Sequence, residues 1–432
     1  MLKEALINVC IVLVVLLGLT GCGKRETETL TLAVGGAPAE LDFWEELIAA
    51  FSVQEGITVN MVRHPTDTDQ RRQSLVTSMK SRETDPDVFL MDVAWVGQFA
   101  ASNWLEPLDS LLAASQEGIE PFFERVVKEA DTYEGRIVAL PMYIDGGMLY
   151  YRTDLLEKYG FDQPPETWEQ LVSYAKTVVP EERKGNRSFS GFVWQGAQYE
   201  GLMCTFLEFA ASNQGGIVLE DGRISVDTPA NVTAARFMHD LIHKHKISPP
   251  STYTEMKEEE VRIFFQRGNA LFERNWPYAW RLHQAENSEV KGKVGIAPLP
   301  HFEGGESASA LGGWHIGISR FSNRKKDARR LVGYLTSKAV QKKVVLELGW
   351  NPGRKDVYRD PEVLERFPHF TKLEKVFTNA VARPNVPYYS YLSQTLQSHL
   401  NAALAGRESP QEALAKSEKE MQATVNRYSK VN

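Results

Sequence analysis

The segment TLTLAV, residues 29–34, alternates polar and apolar side chains, and two similar runs follow it, ITVNMV at 57–62 and DVFLM at 87–91. Alternation with a period of two predicts half-buried strands, and a short apolar run is typical of a buried strand. Apolar side chains recur at helical spacing between residues 41 and 51, and a polar amphipathic helix is predicted over 67–80. The order strand, helix, strand, helix, strand indicates an α/β fold with a parallel sheet and right-handed crossovers.

The carboxyl ends of these strands are the expected position of a ligand site, because ligands of open α/β sheets bind beyond that edge. The chain leaves the first predicted strand through residues 35–40 and leaves the third at Asp92. Glu40 and Asp92 are therefore predicted to place two carboxylates at one edge. Each also has a purely structural explanation, because Glu40 could stabilise the first turn of a helix and Asp92 could cap one.

A second lobe is predicted after LPMY (140–143), where strand character returns in GMLYY (147–151). TWEQ (167–170) and SPQE (409–412) have the pattern of a capping box, and each predicts the start of a helix. Four leucines at helical spacing predict a late helix that packs into a core. These leucines are Leu392, Leu396, Leu400 and Leu404.

The N-terminus carries an apolar run of 16 residues from Ala5 to Thr20, which leads into Gly21-Cys22 and then into a polar stretch. A membrane-spanning helix needs about 20 apolar residues, so the run is more typical of a signal-peptide core. The pattern predicts a bacterial lipoprotein signal at 1–21, acylation of Cys22 and a tether over 22–28. An uncleaved N-terminal anchor is the alternative, and both explanations place the rest of the chain outside the cytoplasm, held at a membrane.

Composition narrows the class of protein. Removal of residues 1–21 from a chain of 432 leaves 411, which is too long for one hydrophobic core and suits two lobes. With 43% hydrophobic residues, 24% charged residues and a net charge of −7, the chain is typical of a globular protein without a basic stripe for nucleic acid. Cys204 has no predicted disulfide partner, and its apolar neighbours predict an inert buried thiol.

Several catalytic and cofactor motifs are absent from the sequence. It contains no His-Glu-x-x-His, no Gly-x-Ser-x-Gly, no phosphate loop and no dinucleotide fingerprint, which excludes those particular families. His239 and His243 have a spacing at which two imidazoles can share a metal, and His245 follows. The apolar residues of that helix turn the first two histidines toward solvent, so no metal site is predicted. No cofactor is predicted either.

Aromatic side chains lie beside glycine, proline or turn residues in WPYAW (276–280), GGWH (312–315) and PYYSY (387–391). Aromatic residues on loops have a larger chance of facing a ligand than those inside helices. A sugar ring has an apolar face that lies flat on an aromatic ring, and its hydroxyls bind carboxylates and arginine. Aromatic residues together with Asp, Glu and Arg are what a sugar site requires.

In this order and spacing, these motifs resemble the extracellular solute-binding proteins of ABC importers, in the maltose/trehalose-binding group. The resemblance covers nearly all of the chain after Cys22. It rests on DPDV (85–88) before Asp92, LPMYID (140–145), YYR (150–152), FFQRG (264–268), RNWPYAW (274–280), VGIAPLP (294–300), GGW (312–314), ARP (382–384) and PYY (387–389).

The resemblance implies a two-lobed periplasmic-binding-protein fold of type II, with a sugar clamped between lobes that three chain crossings join. Lobe 1 is assigned residues 29–142 and 298–336, and lobe 2 is assigned residues 143–297 and 337–432. The strand and helix pattern thus predicts the α/β class, and the resemblance implies the position of the cleft.

Eight ligand-binding residues are predicted, seven of them carried over by position from the resemblance and Tyr143 from its place beside the first crossing. Four of the eight come from the first predicted lobe and the first crossing. Glu40, Asp92 and Asp145 would accept hydrogen bonds from sugar hydroxyls, and Tyr143 lies beside the crossing. On residue character alone, Asp145 could instead form a turn.

The other four implied residues lie later in the chain. Trp276 would stack on a sugar ring, although it could also be plain core. Gly313 would let the backbone approach the sugar, Trp314 would pack against it, and Arg383 would donate hydrogen bonds to its oxygens.

The expected function is that of a lipid-tethered, monomeric, non-enzymatic receptor, which captures a disaccharide by hinge closure and passes it to a membrane permease. The expected ligand is a trehalose- or maltose-like α-glucoside, with sucrose and glucosylglycerol also open. The ATPase would be a separate chain, because its motifs are absent. A glycoside-active enzyme with paired carboxylates and an adhesion or scaffold lipoprotein are the alternatives.

Overall fold

The computed structural model describes residues 29–429, apart from 37, 66, 116, 369, 372, 374–376 and 378–379. The predicted signal peptide, Cys22 and the tether up to residue 28 lie outside the described residues. Within the described part of the chain, no helix is both long enough and apolar enough to cross a membrane.

The strands form two main sheets and two short two-stranded sheets. The first main sheet has the order β2-β1-β3-β13-β6, and the second has the order β12-β7-β11-β8. In chain order the strands are β1 (Leu30–Gly35), β2 (Val59–His64), β3 (Val88–Asp92), β4 (Thr132–Tyr133), β5 (Arg136–Ile137), β6 (Leu140–Gly146), β7 (Met148–Arg152), β8 (Ser190–Val193), β9 (Val218–Glu220), β10 (Arg223–Ser225), β11 (Ala270–Asn275), β12 (Val294–Ala297) and β13 (Leu311–Ile318).

The helices with described bounds are α1 (Pro38–Glu55), α2 (Thr68–Lys80), α3 (Val96–Ala101), α4 (Asp109–Ala114), α5 (Glu124–Val126), α6 (Thr153–Lys158), α7 (Trp168–Glu182), α8 (Glu200–Ala211), α9 (Pro229–His243), α10 (Ser251–Thr254), α11 (Glu258–Gln266), α12 (Ala279–His283), α13 (Lys325–Leu335), α14 (Lys338–Leu348), α15 (Pro361–Arg366), α16 (Tyr389–Leu404) and α17 (Pro410–Ser429). Short 3-10 helices span Val93–Trp95 and Lys355–Arg359, and a π-helical turn spans Val127–Asp131.

The first sheet begins as the sequence predicts. β1 pairs in parallel with both β2 and β3, and α1 and α2 lie between these strands in the chain. The sheet as a whole is mixed, because β13 inserts between β3 and β6 and runs antiparallel to both. Alternation within a run predicts a strand but does not specify which distant strand it pairs with, so this part of the topology is missed.

The second sheet forms the centre of the other lobe. β7 pairs antiparallel with β11 and with β12, whereas β11 pairs in parallel with β8. Its strands come from the segment between β6 and β13 of the first sheet. The chain therefore has the two-lobed α/β architecture that the sequence predicts.

The described chain passes between the two sheets at three places. Gly147 alone separates β6 from β7, and residues 298–310 join β12 to β13. The third crossing includes Val381, whose N–H donates to the Ser309 carbonyl oxygen at 2.8 Å and whose carbonyl accepts from the Leu311 N–H at 2.8 Å. The second and third crossings thus lie side by side.

Helix α14 departs from the predicted division into lobes. The sequence analysis assigns everything after residue 336 to lobe 2, yet Val340, Val344 and Leu348 lie in the hydrophobic cluster that contains β1 of the first sheet. Two consecutive helices with a short connection pack as neighbours, and α13 packs on that same cluster. The remaining boundaries stay predictions.

Local sequence signals for helices are confirmed. Thr167 and Gln170 form a reciprocal capping box at the start of α7, and Ser409 and Glu412 exchange the same two hydrogen bonds at the start of α17. The four leucines of α16 are buried, as their spacing predicts.

Candidate functional site

Asp92 is the last residue of β3 and lies where the carboxyl ends of the parallel strands of the first sheet meet. Its Oδ1 accepts a hydrogen bond from the Ala94 N–H at 2.8 Å and caps the short helix that follows. The same oxygen accepts a hydrogen bond from Nη2 of Arg383 at 3.2 Å. Asp92 therefore caps a helix, as its purely structural explanation predicts. It also contacts Arg383, which is another predicted site residue.

Arg383 connects the two lobes. Its Nη1 donates to Oε1 of Glu200, the first residue of α8, at 2.8 Å, and its Nη2 reaches the Leu311 carbonyl oxygen at 3.3 Å. Glu200 also accepts a hydrogen bond from the Tyr389 hydroxyl at 2.6 Å. The Arg383 side chain is 3% exposed, and its Nε has no hydrogen-bond partner among the described residues. One guanidinium thus bridges a carboxylate of each lobe.

Asp145 lies inside strand β6, so the explanation of Asp145 as a turn former is wrong. Burial, together with the negative charges of Asp92 and Glu40, raises the pKa of the Asp145 carboxyl to about 7, although Arg274 acts in the opposite direction. The side chain remains partly exposed. Asp145 therefore keeps its proton to a higher pH than an ordinary aspartate does, and in that state its carboxyl can both donate and accept a hydrogen bond.

Glu40 lies in the first turn of α1, and a Cβ atom at Gly36 would lie only 2.0 Å from its Oε2. The glycine therefore lets the chain pass beside this carboxylate.

The Tyr143 ring packs against Trp350, with 4.3 Å between ring centroids. Burial and the charges of Glu40 and Asp145 raise the pKa of the Tyr143 hydroxyl.

Trp276 directly follows the carboxyl end of β11 in the second sheet. Its side chain is partly exposed, so Trp276 is not simply a residue of the hydrophobic core. The Arg274 guanidinium carbon lies 3.9 Å from the centroid of the indole, and the indole N–H donates to Glu258 at 3.3 Å. A Cβ atom at Gly312 would lie 3.1 Å from the indole and 3.3 Å from the Cβ of Asp145. The Trp276 ring therefore meets residues of the first sheet across the cleft.

Gly313 is required by the sheet itself. Its φ is +121°, and a Cβ atom there would lie 2.4 Å from the Tyr143 carbonyl oxygen. Only glycine adopts this conformation at such a close approach of backbones. A side chain at Gly313 would point toward β6, whereas a side chain at Gly312 would point toward the Trp276 ring.

Trp314 is partly exposed and has contacts on two sides. It packs edge-on against Trp95, with 5.3 Å between ring centroids, and the Arg71 guanidinium carbon lies 4.0 Å from its ring centroid. A Cβ atom at Gly35 would lie 2.6 Å from the Arg71 guanidinium. Arg71 is thus enclosed between the end of β1 and Trp314, and burial lowers the pKa of its guanidinium.

Sequence analysis misses Arg71 and Glu200. Arg71 is 4% exposed, yet it lies in a polar helix next to Arg72, and no local pattern distinguishes the two. Glu200 is the first residue of α8, and an acidic residue at a helix start was the available signal. That signal is common, and by itself it does not indicate a ligand.

Three further expectations concern cysteine and histidine. Cys204 is buried, and burial raises the pKa of its thiol to about 12, in agreement with an inert thiol. His239 and His243 stack with 4.4 Å between ring centroids, and His243 Nε2 lies 2.7 Å from the Leu404 carbonyl oxygen. Across the described ranges, no group of three His, Cys, Asp or Glu residues could hold a metal ion.

The cleft therefore combines three kinds of group that come from both lobes. Carboxylates at positions 40, 92 and 145 accept hydrogen bonds, the guanidiniums at 71 and 383 donate them, and two indoles present partly exposed rings. A polyhydroxylated molecule both donates and accepts through each hydroxyl, so it can satisfy all of these groups at once.

The chain is similar to known proteins in sequence and in fold. A family model described as bacterial extracellular solute-binding protein matches residues 37–342. A probable ABC transporter-binding protein of Deinococcus radiodurans is 36% identical over 406 residues, which are 92% of this chain and 95% of the relative.

Solved structures give the same result. A maltose-bound MalE3 of T. maritima is 41% identical with a TM-score of 0.85, and the match covers 92% of this chain and 99% of that one. An ABC transporter solute-binding protein of Thermotoga lettingae, bound with α-D-tagatose, is 29% identical with a TM-score of 0.82, again over 92% and 99% of the two chains.

Proposed function

Because the chain belongs to the bacterial extracellular solute-binding protein family, we propose that it is the sugar-capturing receptor of an ABC importer. Its ligand is a disaccharide of the α-glucoside type, with maltose and trehalose as the first candidates. A membrane permease and a separate ATPase chain are the partners, and the receptor acts as a monomer outside the cytoplasm.

One observation carries this proposal. Carboxylates, guanidiniums and partly exposed indoles of both lobes lie where the two sheets face each other, and there Arg383 contacts Asp92 directly. The Arg274 guanidinium covers one face of the Trp276 indole, and the exposed part of the ring is where a sugar would stack. Asp145 and Glu40 would accept hydroxyl hydrogens, and Arg71 would support the Trp314 ring from behind.

The choice of a disaccharide draws on the relatives. MalE3 of T. maritima, at 41% identity, is bound to maltose, whereas the protein with α-D-tagatose is only 29% identical. Maltose joins two glucose rings, and two partly exposed indoles at Trp276 and Trp314 offer one aromatic contact for each ring.

Capture would proceed by a shift between open and closed forms. A sugar that contacts both lobes only when they are closed binds that form more tightly and raises its population. Residues such as Arg383, which already reach both lobes, would then exchange a protein contact for a sugar contact. The permease would recognise the closed form.

The family and the solved relatives are solute-binding proteins and not enzymes, and the same holds for this chain. The glycoside-active alternative is therefore set aside, although it makes a clear prediction. Incubation with maltose and trehalose followed by an assay for free glucose would detect turnover, and any useful rate would contradict the receptor proposal.

The decisive experiment is isothermal titration of the purified protein with maltose, trehalose, sucrose and glucosylglycerol. An amino acid serves as the negative control. We expect saturable binding of one α-glucoside per chain. A thermal-shift screen should agree, because a ligand at a hundred times its Kd adds about 2.7 kcal/mol to the free energy of unfolding. Absence of binding to every sugar would overturn the proposal.

A further inference from the structure

A buried ion pair lies where the chain crosses between the lobes. Nε of Arg274 donates to Oε2 of Glu208 at 2.8 Å, and Nη2 donates to Oε1 at 2.5 Å. Each side chain is only 1% exposed. A buried pair adds little stability by itself, because both charges lose their hydration. Stability therefore does not account for this pair, and neither residue belongs to the eight predicted ligand-binding residues.

Glu208 contacts two of the three crossings. Its Oε1 accepts a hydrogen bond from the Ala310 N–H at 3.2 Å, in the crossing formed by residues 298–310. A Cβ atom at Gly147, the single residue of the first crossing, would lie 2.0 Å from the same oxygen. Ser309 donates its hydroxyl to the Gly147 carbonyl oxygen at 2.7 Å, so the two crossings are also tied to each other.

Arg274 contacts the aromatic ring on the other side of the pair. Its guanidinium carbon lies 3.9 Å from the centroid of the Trp276 indole. A guanidinium over an indole is an attractive cation–π arrangement, and the attraction is stronger when the cation is desolvated, as Arg274 is. A continuous series of contacts therefore runs from the Trp276 ring through Arg274 and Glu208 to Gly147 and Ala310.

We propose that Glu208 and Arg274 are positioning residues that couple the Trp276 ring to the crossings. Arg274 fixes the plane of the ring, and Glu208 fixes Arg274 against the backbone that bends when the lobes close. This inference rests on the proposed function, in which Trp276 stacks on a sugar. Stacking and closure then become one event, because the ring cannot reorient without moving the pair that touches the crossings.

The test replaces both charges by side chains of similar volume in the double variant Glu208→Met/Arg274→Met. Replacement of both members of a buried pair by apolar residues usually leaves stability unchanged or higher. Because the buried Ala310 N–H also loses its acceptor here, we expect a folded protein with a lower melting temperature. We expect maltose affinity to fall about tenfold, which corresponds to about 1.4 kcal/mol. The decrease in radius of gyration on addition of maltose, measured by small-angle X-ray scattering, should become smaller.

A second Arg–carboxylate pair in the same lobe provides the control. Arg152 donates to Asp154 at 2.7 and 2.6 Å, and neither residue contacts Trp276 or a crossing in the described part of the chain. Arg152→Met/Asp154→Met should bind maltose as the wild-type protein does. Wild-type affinity in Glu208→Met/Arg274→Met would overturn the coupling while leaving the receptor proposal intact.

Two other outcomes are also informative. If the wild-type protein binds no sugar, the proposed function is overturned and this inference with it. If Glu208→Met/Arg274→Met fails to fold, Arg274→Lys decides the question, because lysine keeps the charge opposite Glu208 but loses the flat fork that covers the ring. Wild-type affinity and closure in Arg274→Lys would overturn the inference, whereas weaker binding in a folded protein supports it.

Discussion

Nη2 of Arg383 lies 3.2 Å from Oδ1 of Asp92, and Nη1 of the same guanidinium lies 2.8 Å from Oε1 of Glu200. Asp92 ends a strand of the first sheet, whereas Glu200 opens a helix of the other lobe. The planar guanidinium donates in two directions from one rigid group. A single side chain therefore reaches both walls of the cleft at the position where a sugar would be enclosed.

The first prediction concerns this arginine. Arg383→Lys keeps the positive charge but cannot donate to Asp92 and Glu200 at the same time. Since a hydrogen bond to a charged group contributes about 1.5–3 kcal/mol, we expect maltose affinity to fall at least about tenfold by isothermal titration. Arg354→Lys is the matched control, because Arg354 makes a comparable fork onto Asp356 and Glu117. Equal affinities in the two variants would remove Arg383 from the proposed contacts.

The second prediction concerns Trp276. Trp276→Ala removes the ring that Arg274 covers on one face, and with it the surface on which a sugar would stack. Burial of an aromatic side chain contributes about 2 kcal/mol or more, so the Kd should rise by more than tenfold. Because the ring also packs on Arg274 and donates to Glu258, the melting temperature should fall while the protein stays folded. Tyr174→Ala is the control, because Tyr174 stacks on Phe161 at 3.8 Å on helix α7. Normal sugar binding by Trp276→Ala would refute the stacking role.

Local patterns predicted much of the fold, because the structures that they encode are themselves local. The alternation at 29–34 became β1, and Thr167 and Gln170 became a capping box, within one residue of the predicted positions. Asp92 lies at the end of β3, as the predicted strand implies. In each case the residues that cooperate lie within a few positions of one another.

Features that join distant parts of the chain were missed. Arg274 pairs with Glu208 across 66 residues, and β13 enters the first sheet from beyond the whole second sheet. Arg71 lies in a polar helix and is buried only because Trp314 and the end of β1 enclose it. No periodicity encodes such contacts, since they depend on how the two lobes and their crossings pack.

A third prediction separates two glycines with positive φ. Gly313 has a φ of +121°, and a Cβ atom there would lie 2.4 Å from a backbone oxygen. Gly304 has a φ of +77°, and a Cβ atom there would meet no atom within 4 Å. Gly304→Ala should cost only about 1 kcal/mol for backbone strain. Gly313→Ala should lower the free energy of unfolding by about 3 kcal/mol or more, because the backbone of β6 must move. Urea denaturation measures both, and similar values would contradict the clash.

A fourth prediction tests the membrane anchor. If Cys22 is acylated, more than one acyl chain holds the protein at the membrane, since each buried methylene contributes about 0.8 kcal/mol. Cys22→Ala should then appear in the soluble extracytoplasmic fraction while its maltose affinity stays normal. Cys204→Ala is the control, because this buried thiol is outside the predicted signal. A Cys22→Ala variant that stays in the membrane fraction would favour an uncleaved anchor.

The last prediction uses the pKa of Asp145, which burial and the neighbouring carboxylates raise to about 7 from an ordinary value of 3.8. Between these two pH values, the folded protein holds a proton that the unfolded chain has lost. The contribution of this residue to stability is therefore complete at about pH 4 and is lost as the pH rises through about 7.

Asp145→Asn removes this dependence, because asparagine stays uncharged. From about pH 5 to about pH 8, the free energy of unfolding of Asp145→Asn should rise relative to that of the wild-type protein, by at most about 1.4 kcal/mol per pH unit. Urea denaturation at several pH values measures the difference, with Asp162→Asn as a control at an exposed carboxylate. A difference that stays constant over this range would show that Asp145 is already ionised in the folded protein, and that the three carboxylates at the cleft do not repel one another strongly enough to hold a proton.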